Sequence, residues 1–529
     1  MAEPLIATDT ARPLRTTQAS IQRAATAVTA FIGRTLRGPV NQPLAIASFN
    51  DYQRLFGGLW QPSMLSYALE QYFQNGGREA IVVRVCNGGC PPTLTLPAAN
   101  SALTLIGLWP GTREFLRASV DYDGIGPGEP DRFNLVVQRI RAPGSEFIED
   151  QEIFRRVSVL PGAERSVAGM LTGSRLVRAR GLMPRQRPDL TRGSAPAAAV
   201  GYVPSNSDGD DGDPLTNYDV IGDAKRGSGL FALHGAEPFN FLCVPSLARE
   251  TDVGLPTLLV ALRVCRQRQA MLLVDPPLAW ADAATAIEGL RNWSLYSEHA
   301  LMFYPRVLAF DRLRGRHEIF GSAAAAAGLL ARLEANGPVW RASVSQEEPL
   351  RPLLRPASIV TDLDQVRLTH AGVNSLPPPP ISARPMPVLR PRLRTLVAEA
   401  GSRSDSRELR LRRLALFIMN SIERGTRWAI YEKPGPALWS RVRSQLSAFF
   451  QGLDQDGAFV GGSAAEKYFV ICDQRLNDID HVQAGRFQLL FGFASSHPAD
   501  FQTCLVTHEP GGSSVRPVSV NRYALPPQN

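Results

Sequence analysis

Between Phe239 and Tyr304 the chain alternates between two kinds of apolar pattern, and that alternation limits its fold more than any other feature. Phe239–Val244, Ala270–Asp275 and Ala300–Tyr304 are short, nearly continuous apolar runs. Between them, Pro256–Arg266 and Asp282–Trp293 carry apolar residues at helical spacing. A short unbroken apolar run suits a strand buried on both faces, and strands joined through helices pair in parallel. The segment therefore predicts a doubly wound parallel sheet. Ser322–Glu334 adds an Ala-rich helix, whose small side chains let another helix or a neighbouring subunit approach closely.

An earlier stretch has the same character. Ala27–Gly33 reads as a strand ending in glycine. Pro62-Ser63 opens a helix with Leu65, Leu69, Tyr72 and Phe73 on one face, and Asn75-Gly76-Gly77 stops it before the buried-type strand Ala80–Val85. Residues 91–235 differ: the short alternating runs Arg117–Tyr122, Phe133–Ile140 and Ile153–Val159 lie between Gly, Pro and Asp turns and predict an inserted β-rich domain. Met183–Val200 reads as loop.

Residues 376–395 form a Pro/Arg linker in extended conformation. Beyond it, 405–508 reads as an α/β module. One helix places Leu411, Leu414, Ile418 and Ile422 on one face with Arg410, Arg412 and Arg413 beside them. Pro436 opens a second, carrying Trp439, Val442, Leu446, Phe449, Phe450 and Leu453. Strands follow at Tyr468–Asp473, Phe487–Phe493 and Phe501–Thr507. Residues 1–25 and 509–529 are too poor in apolar residues to fold alone and read as extended arms. The expected architecture is thus multidomain α/β. An N-terminal arm (1–25) leads into a first core segment (26–90), the β-rich insertion (91–235) and a second core segment (236–375). The linker (376–404), the C-terminal module (405–508) and a C-terminal arm (509–529) follow.

Chemistry is harder to find. No phosphate-binding loop, HExxH or GxSxG motif occurs, and Gly124-Ile125-Gly126-Pro127-Gly128 does not join a strand to a helix. The seven histidines lack metal-ligand spacing. Six cysteines in 529 residues do not form a disulfide framework; Cys86 and Cys90, the one close pair, read as free thiols in a turn. Asp208-Gly209-Asp210-Asp211-Gly212-Asp213 lacks the spacing and distal Glu of a calcium loop and reads as a solvated acidic turn. Catalysis, cofactor and metal are therefore not expected. The net charge of +8 raises nucleic acid as a partner, but the basic residues are scattered, and an acidic protein fits equally well. The apolar runs are too short to span a bilayer, and the N-terminus has no signal-like apolar region, so a soluble, cytoplasmic chain is expected.

Two segments in this order resemble the contractile tail sheath family of phage tails, R-type bacteriocins and extracellular contractile injection systems. The first runs from Thr26–Pro43 (TAVTAFIGRTLRGPVNQP) through Ser48-Phe49, Tyr52 and Leu55-Phe56-Gly57-Gly58 to Phe73–Gly77 and Val82-Val83-Arg84-Val85. The second begins at Ala371-Gly372-Val373-Asn374 and Arg394-Thr395-Leu396. It continues through Arg412-Arg413-Leu414, Ser421-Ile422, Trp428, Glu432, Leu438-Trp439 and Leu453, then Gly457-Ala458 and Gly461-Gly462. It closes on Tyr468-Phe469-Val470, Cys472-Asp473, Gly492-Phe493-Ala494 and Pro498–Phe501. Asn240–Pro245, Leu273–Pro276 and Tyr304-Pro305 are similar in the middle. The family's usual opening is absent, Pro4–Thr8 being the nearest segment, and the 376–395 linker is richer in proline.

The resemblance implies a structural subunit that polymerises as stacked six-fold rings around an inner tube and contracts to drive the tube through a target envelope. Its implied partners are its own copies, the tube protein, and baseplate and terminator or cap proteins, with no direct contact to nucleic acid or membrane. It implies that the arms add strands to sheets of neighbouring copies, through Leu5, Ile6 and Thr8 at one end and Leu505, Val506, Val518 and Val520 at the other. Arg410, Arg412 and Arg413 become a candidate tube-facing row. Residues 26–90 and 235–508 are expected to move as one rigid core. The alternative reading is a doubly wound enzyme or ligand-binding protein, a monomer or small oligomer with a pocket.

Overall fold

The computed structural model describes residues 20–191, 201–335, 337–341, 350–351, 354–376, 392–397 and 404–519. They fall into two compact units, residues 25–402 and a terminal unit made of 1–24 with 403–529. The C-terminal module thus groups with the N-terminal segment rather than with residues 26–375.

In the first unit, strands β1 (Thr29–Gly33), β2 (Ala80–Arg84), β3 (Phe241–Cys243), β4 (Met271–Val274) and β5 (Ala300–Tyr304) form a parallel sheet in the spatial order β2-β1-β3-β4-β5. Asn374–Ser375 continues it in parallel beyond β5. Leu44–Ile46 caps it in antiparallel beside β2. The order reverses between β1 and β3, as in doubly wound folds.

Alternate residues of β1 show the layers. Ala30 and Ile32 join the core built by helices α2 (Leu255–Gln267) and α3 (Ala283–Trp293) through Leu258, Leu262, Ala286 and Leu290. Phe31, pointing the other way, meets Tyr72 of α1 (Met64–Gln74), ring centroids 5.2 Å apart. The Ala-rich helix α4 (Ala323–Ala335) lies against α1 on that second face. A side chain at Gly328 would stand 2.4 Å from the Tyr72 carbonyl oxygen, so its small residues serve packing between helices of one subunit. A small antiparallel sheet, β6 (Val307–Asp311), β7 (Arg316–Phe320) and β8 (Leu354–Pro356), sits on the α1 side. Tyr67 of α1 donates to Asp311 at 3.0 Å and packs on Phe320. Helix α5 (Asp362–His370) lies on the opposite face, with Leu368 in the core shared by α2 and α3.

The inserted region is β-rich, as expected. Leu116–Asp121, Arg132–Ile140 and Ile148–Ser158 form a meander edged by Val203–Pro204; Thr93–Ala98, Ser101–Gly107 and Val177–Arg180 form a second sheet. Together they enclose a separate apolar core.

The terminal unit packs α6 (Leu409–Thr426) and α7 (Pro436–Gln455) on a four-stranded antiparallel sheet. Its strands are β9 (Tyr468–Ile471), β10 (Phe487–Phe493), β11 (Gln502–Glu509) and β12 (Gly512–Pro517), in that order. The sequence assigns residues from 509 onward to an arm; instead Gly512–Pro517 is the fourth strand. Pro510-Gly511 is a two-residue hairpin turn closed by the Glu509–Gly512 pair, and Val515 turns its side chain inward.

Candidate assembly surfaces and the switch-point crevice

Ligands of doubly wound folds bind beyond the carboxyl ends of the strands, where the order reverses. Here arginines fill that edge and donate hydrogen bonds to the chain itself. Arg84, 1% exposed, donates to the Gly38 carbonyl at 2.6 Å and the Pro110 carbonyl at 2.7 Å. Arg34 donates to the carbonyls of Asp211 and Gly212 at 3.1 and 2.6 Å. Arg306 reaches Asp252 at 3.0 Å and the Pro276 carbonyl at 2.8 Å, and Arg249 reaches the fully buried Asp311 at 2.7 Å.

Near the ends of β3 and β4 remains a cavity of about 20 Å³, lined by Gln71, Cys243, Ser246 and Asp275 among others. That is room for about one water. Burial pushes the Asp275 carboxyl up, and its Oδ1 accepts from the Ala323 amide at 2.8 Å, holding the start of α4. Among the described residues no group of three or more His, Cys, Asp or Glu is placed to hold a metal ion.

The same edge fastens the insertion to the sheet. Besides Arg34 and Arg84, Arg37 pairs with Glu149 across a mostly buried contact of 2.5 Å. The acidic turn lies at the surface as expected, with Asp208, Asp210 and Asp213 exposed, and it is also a clasp. Asp208 accepts from the Thr93 amide and hydroxyl, and Asp211 from the Thr112 amide and hydroxyl, all between 2.5 and 2.8 Å. Asp210 and Asp213 bridge to Cys90 and Asn87 through the backbone. The Thr93 hydroxyl, then its amide, hold the Asp208 carboxyl below the usual range. The sequence signal for the clasp lies in the two Asx-prone turns facing Thr residues, but their partners are about a hundred residues away.

In the terminal unit the row of arginines is only partly at the surface. Arg412 and Arg413 are 5% and 6% exposed; Arg410 is half-buried and pairs with Glu408 at 2.9 Å. Helix α6 is covered on nearly all sides from Leu409 to Ile422, by the sheet and a short preceding helix, so positions 412 and 413 cannot present charge outward. Of the three arginines, Arg410 alone is partly exposed in this unit. Leu505 and Val506 lie in β11, a central strand, and Val506 is fully buried; they build the subunit's own sheet rather than an arm. Val518 follows β12 and donates its amide to Thr503 at 2.9 Å. Leu5, Ile6, Thr8 and Val520 lie outside the described residues. Residues 20–24 are seated on this unit: Ile21 is buried, the Ala24 amide donates to Ser421 Oγ at 3.0 Å, and Arg23 pairs with Asp456.

His508 pins β11 to its neighbours. Its Nε2 lies 2.9 Å from Thr426 Oγ1 and its Nδ1 2.7 Å from Ser513 Oγ. The Thr426 hydroxyl donates to the Ile422 carbonyl, so its oxygen accepts from Nε2–H. Burial, then nearby Arg427, lowers its pKa from 6.5 to about 4. Between these values the unfolded chain binds a proton that the folded one refuses, so stability present above pH 6.5 drains away as the pH falls toward 4. The full effect is about 3 kcal/mol. Denaturant titrations at pH 7 and 4.5 check this: His508→Gln should lose less stability with acid than the wild type.

Solved structures of sheath proteins are similar to this fold. A sheath tail protein from Listeria innocua superposes with a TM-score of 0.60 at 13% identity, covering 94% of this chain and 96% of its own. One from Desulfitobacterium hafniense gives 0.52 at 13% identity, over 95% and 98%. The contracted sheath of an extracellular contractile injection system gives 0.52 at 16% identity, over 95% and 96%. No family model matches the sequence, and no curated protein does. What is common at these identities is the fold, and it extends over nearly the whole of each chain.

Proposed function

We propose that this protein is the sheath subunit of a contractile, phage-tail-like machine. The observation that carries the reading is the breadth of the fold match, which spans about 95% of the chain against solved sheath proteins. The ordered motifs from Thr26 to Phe501 support it independently. Subunits stack as six-fold rings around an inner tube, between a baseplate and a terminator or cap, assembling in the cytoplasm. The terminal arms link neighbours by adding strands to sheets. Contraction exchanges one set of subunit contacts for another and needs no nucleotide, because the energy lies in the difference between two packings of one fold. Contact with the tube is weak and exchangeable and involves Arg410.

The doubly wound enzyme reading finds little support at the crevice where it needs a ligand, since the arginines there are engaged by the chain and the cavity is water-sized. Sedimentation of the purified chain discriminates the two. The sheath reading expects particles far larger than the 57.7 kDa monomer, and a chain that stays monomeric at all concentrations contradicts it.

A further inference from the structure

Two apolar patches in the first unit are covered by nothing among the described residues, and they face away from each other. One is the outer face of the β6–β8 sheet. Strand alternation turns Val307, Ala309 and Phe320 inward and leaves Leu308, Phe310 and Ile319 outward, with Phe310 51% and Ile319 44% exposed. Arg355, opposite Leu308, stands exposed on the same side, and His317 lies beside Phe310. The other patch is on α5. Ile359, just before the helix, and Leu363 and Val366 follow at i, i+4 and i+7, and are 96%, 59% and 50% exposed. Asp362 is exposed at its start.

The β6–β8 sheet lies on the α1 side of the parallel sheet and α5 on the α2–α3 side. The first patch has Arg355 at its edge; the second has Asp362 at the start of its stripe, with Arg367 exposed at the far end. Complementary patches on opposite faces of one subunit cannot meet within it, but they match head to tail between copies. Such a heterologous contact repeats into a ring or a filament.

We infer that the occupant of the β6–β8 face is α5 of a second copy, with Ile359, Leu363 and Val366 laid on Phe310 and Ile319 and Asp362 beside Arg355. The inference rests on the polymeric reading above and assigns it a specific contact between subunits. A helix stripe against a sheet face is the packing that both patches lack among the described residues.

The test uses the full chain with Cys86 and Cys90, the two thiols that are not buried, changed to Ser. Phe310→Cys and Leu363→Cys are introduced together, the protein is assembled and mildly oxidised, and the products are run on a non-reducing gel. The expected result is a ladder of dimers, trimers and higher species. Mixing the two single variants should give dimers only, because each copy then carries one half of the contact. As a second arm, Asp362→Arg should remove at least ten-fold of the pelletable assembly, and adding Arg355→Asp should restore it; both variants should keep the wild-type circular dichroism spectrum. Rings or tubes in the electron microscope without cross-linking, and with Asp362→Arg assembling normally, would overturn this contact while leaving the sheath reading intact. Dimers from Phe310→Cys alone would mean that the face pairs with itself and would also overturn it. An absence of any particle from the parent chain overturns the sheath reading, and the contact with it.

Discussion

Arg84→Ala should destabilise residues 25–402 by about 3–5 kcal/mol, a large fraction of what a domain possesses. Arg84 closes the carboxyl end of β2, holds the Gly38 turn and reaches across to the Pro110 carbonyl of the insertion. Removing it strands two buried carbonyls and leaves a hole the size of a guanidinium with its stem. Arg84→Lys should recover little, because one ammonium cannot reproduce a planar fork aimed at two acceptors. Urea denaturation followed by tryptophan fluorescence measures the loss. Hydrogen exchange locates it, with deprotection centred on β1, β2 and residues 107–112. A variant within about 1 kcal/mol of the wild type would show that the clasp of Thr93, Thr112 and the aspartates fastens the insertion without the arginine.

The second large effect is expected in the terminal unit. Phe450 of α7 is fully buried, and its ring stacks on Tyr468 at 5.1 Å and meets Phe459 and Phe491 at 5.9 Å each. This aromatic cluster joins helix to sheet, so Phe450→Ala should cost about 3–5 kcal/mol, by lost burial together with the cavity left behind. Phe450→Leu, which refills most of the volume, should cost roughly a third of that. Hydrogen exchange on β9 and β10 reads the change, and protection unaffected in those strands would mean that the cluster is not what holds them.

How much of this is legible in the sequence depends on distance along the chain. The parallel sheet is readable because each strand, buried on both faces, leaves an unbroken apolar run, and the helices between keep their period; Ala300–Tyr304 has the same bounds in sequence and structure. The fourth terminal strand escapes notice because Gly512–Pro517 has one inward residue, Val515, and its Gly, Ser and Pro look like an arm until the Pro510-Gly511 turn pairs it with β11. The burial of Arg412 and Arg413 is hidden for a different reason. Amphipathic spacing marks one apolar face, but α6 is enclosed by contacts that residue spacing does not report. The basic balance of the chain is similarly misleading: Arg34, Arg37, Arg84 and Arg306 are structural fasteners, so these basic residues serve the subunit itself rather than an anionic partner.

The claim that this chain is a polymerising sheath subunit is tested most directly by negative-stain electron microscopy of the purified full-length protein over a range of concentration and salt. The account expects rings with six-fold end views, and tubes formed by their stacking. A field of isolated single subunits under every condition would contradict it.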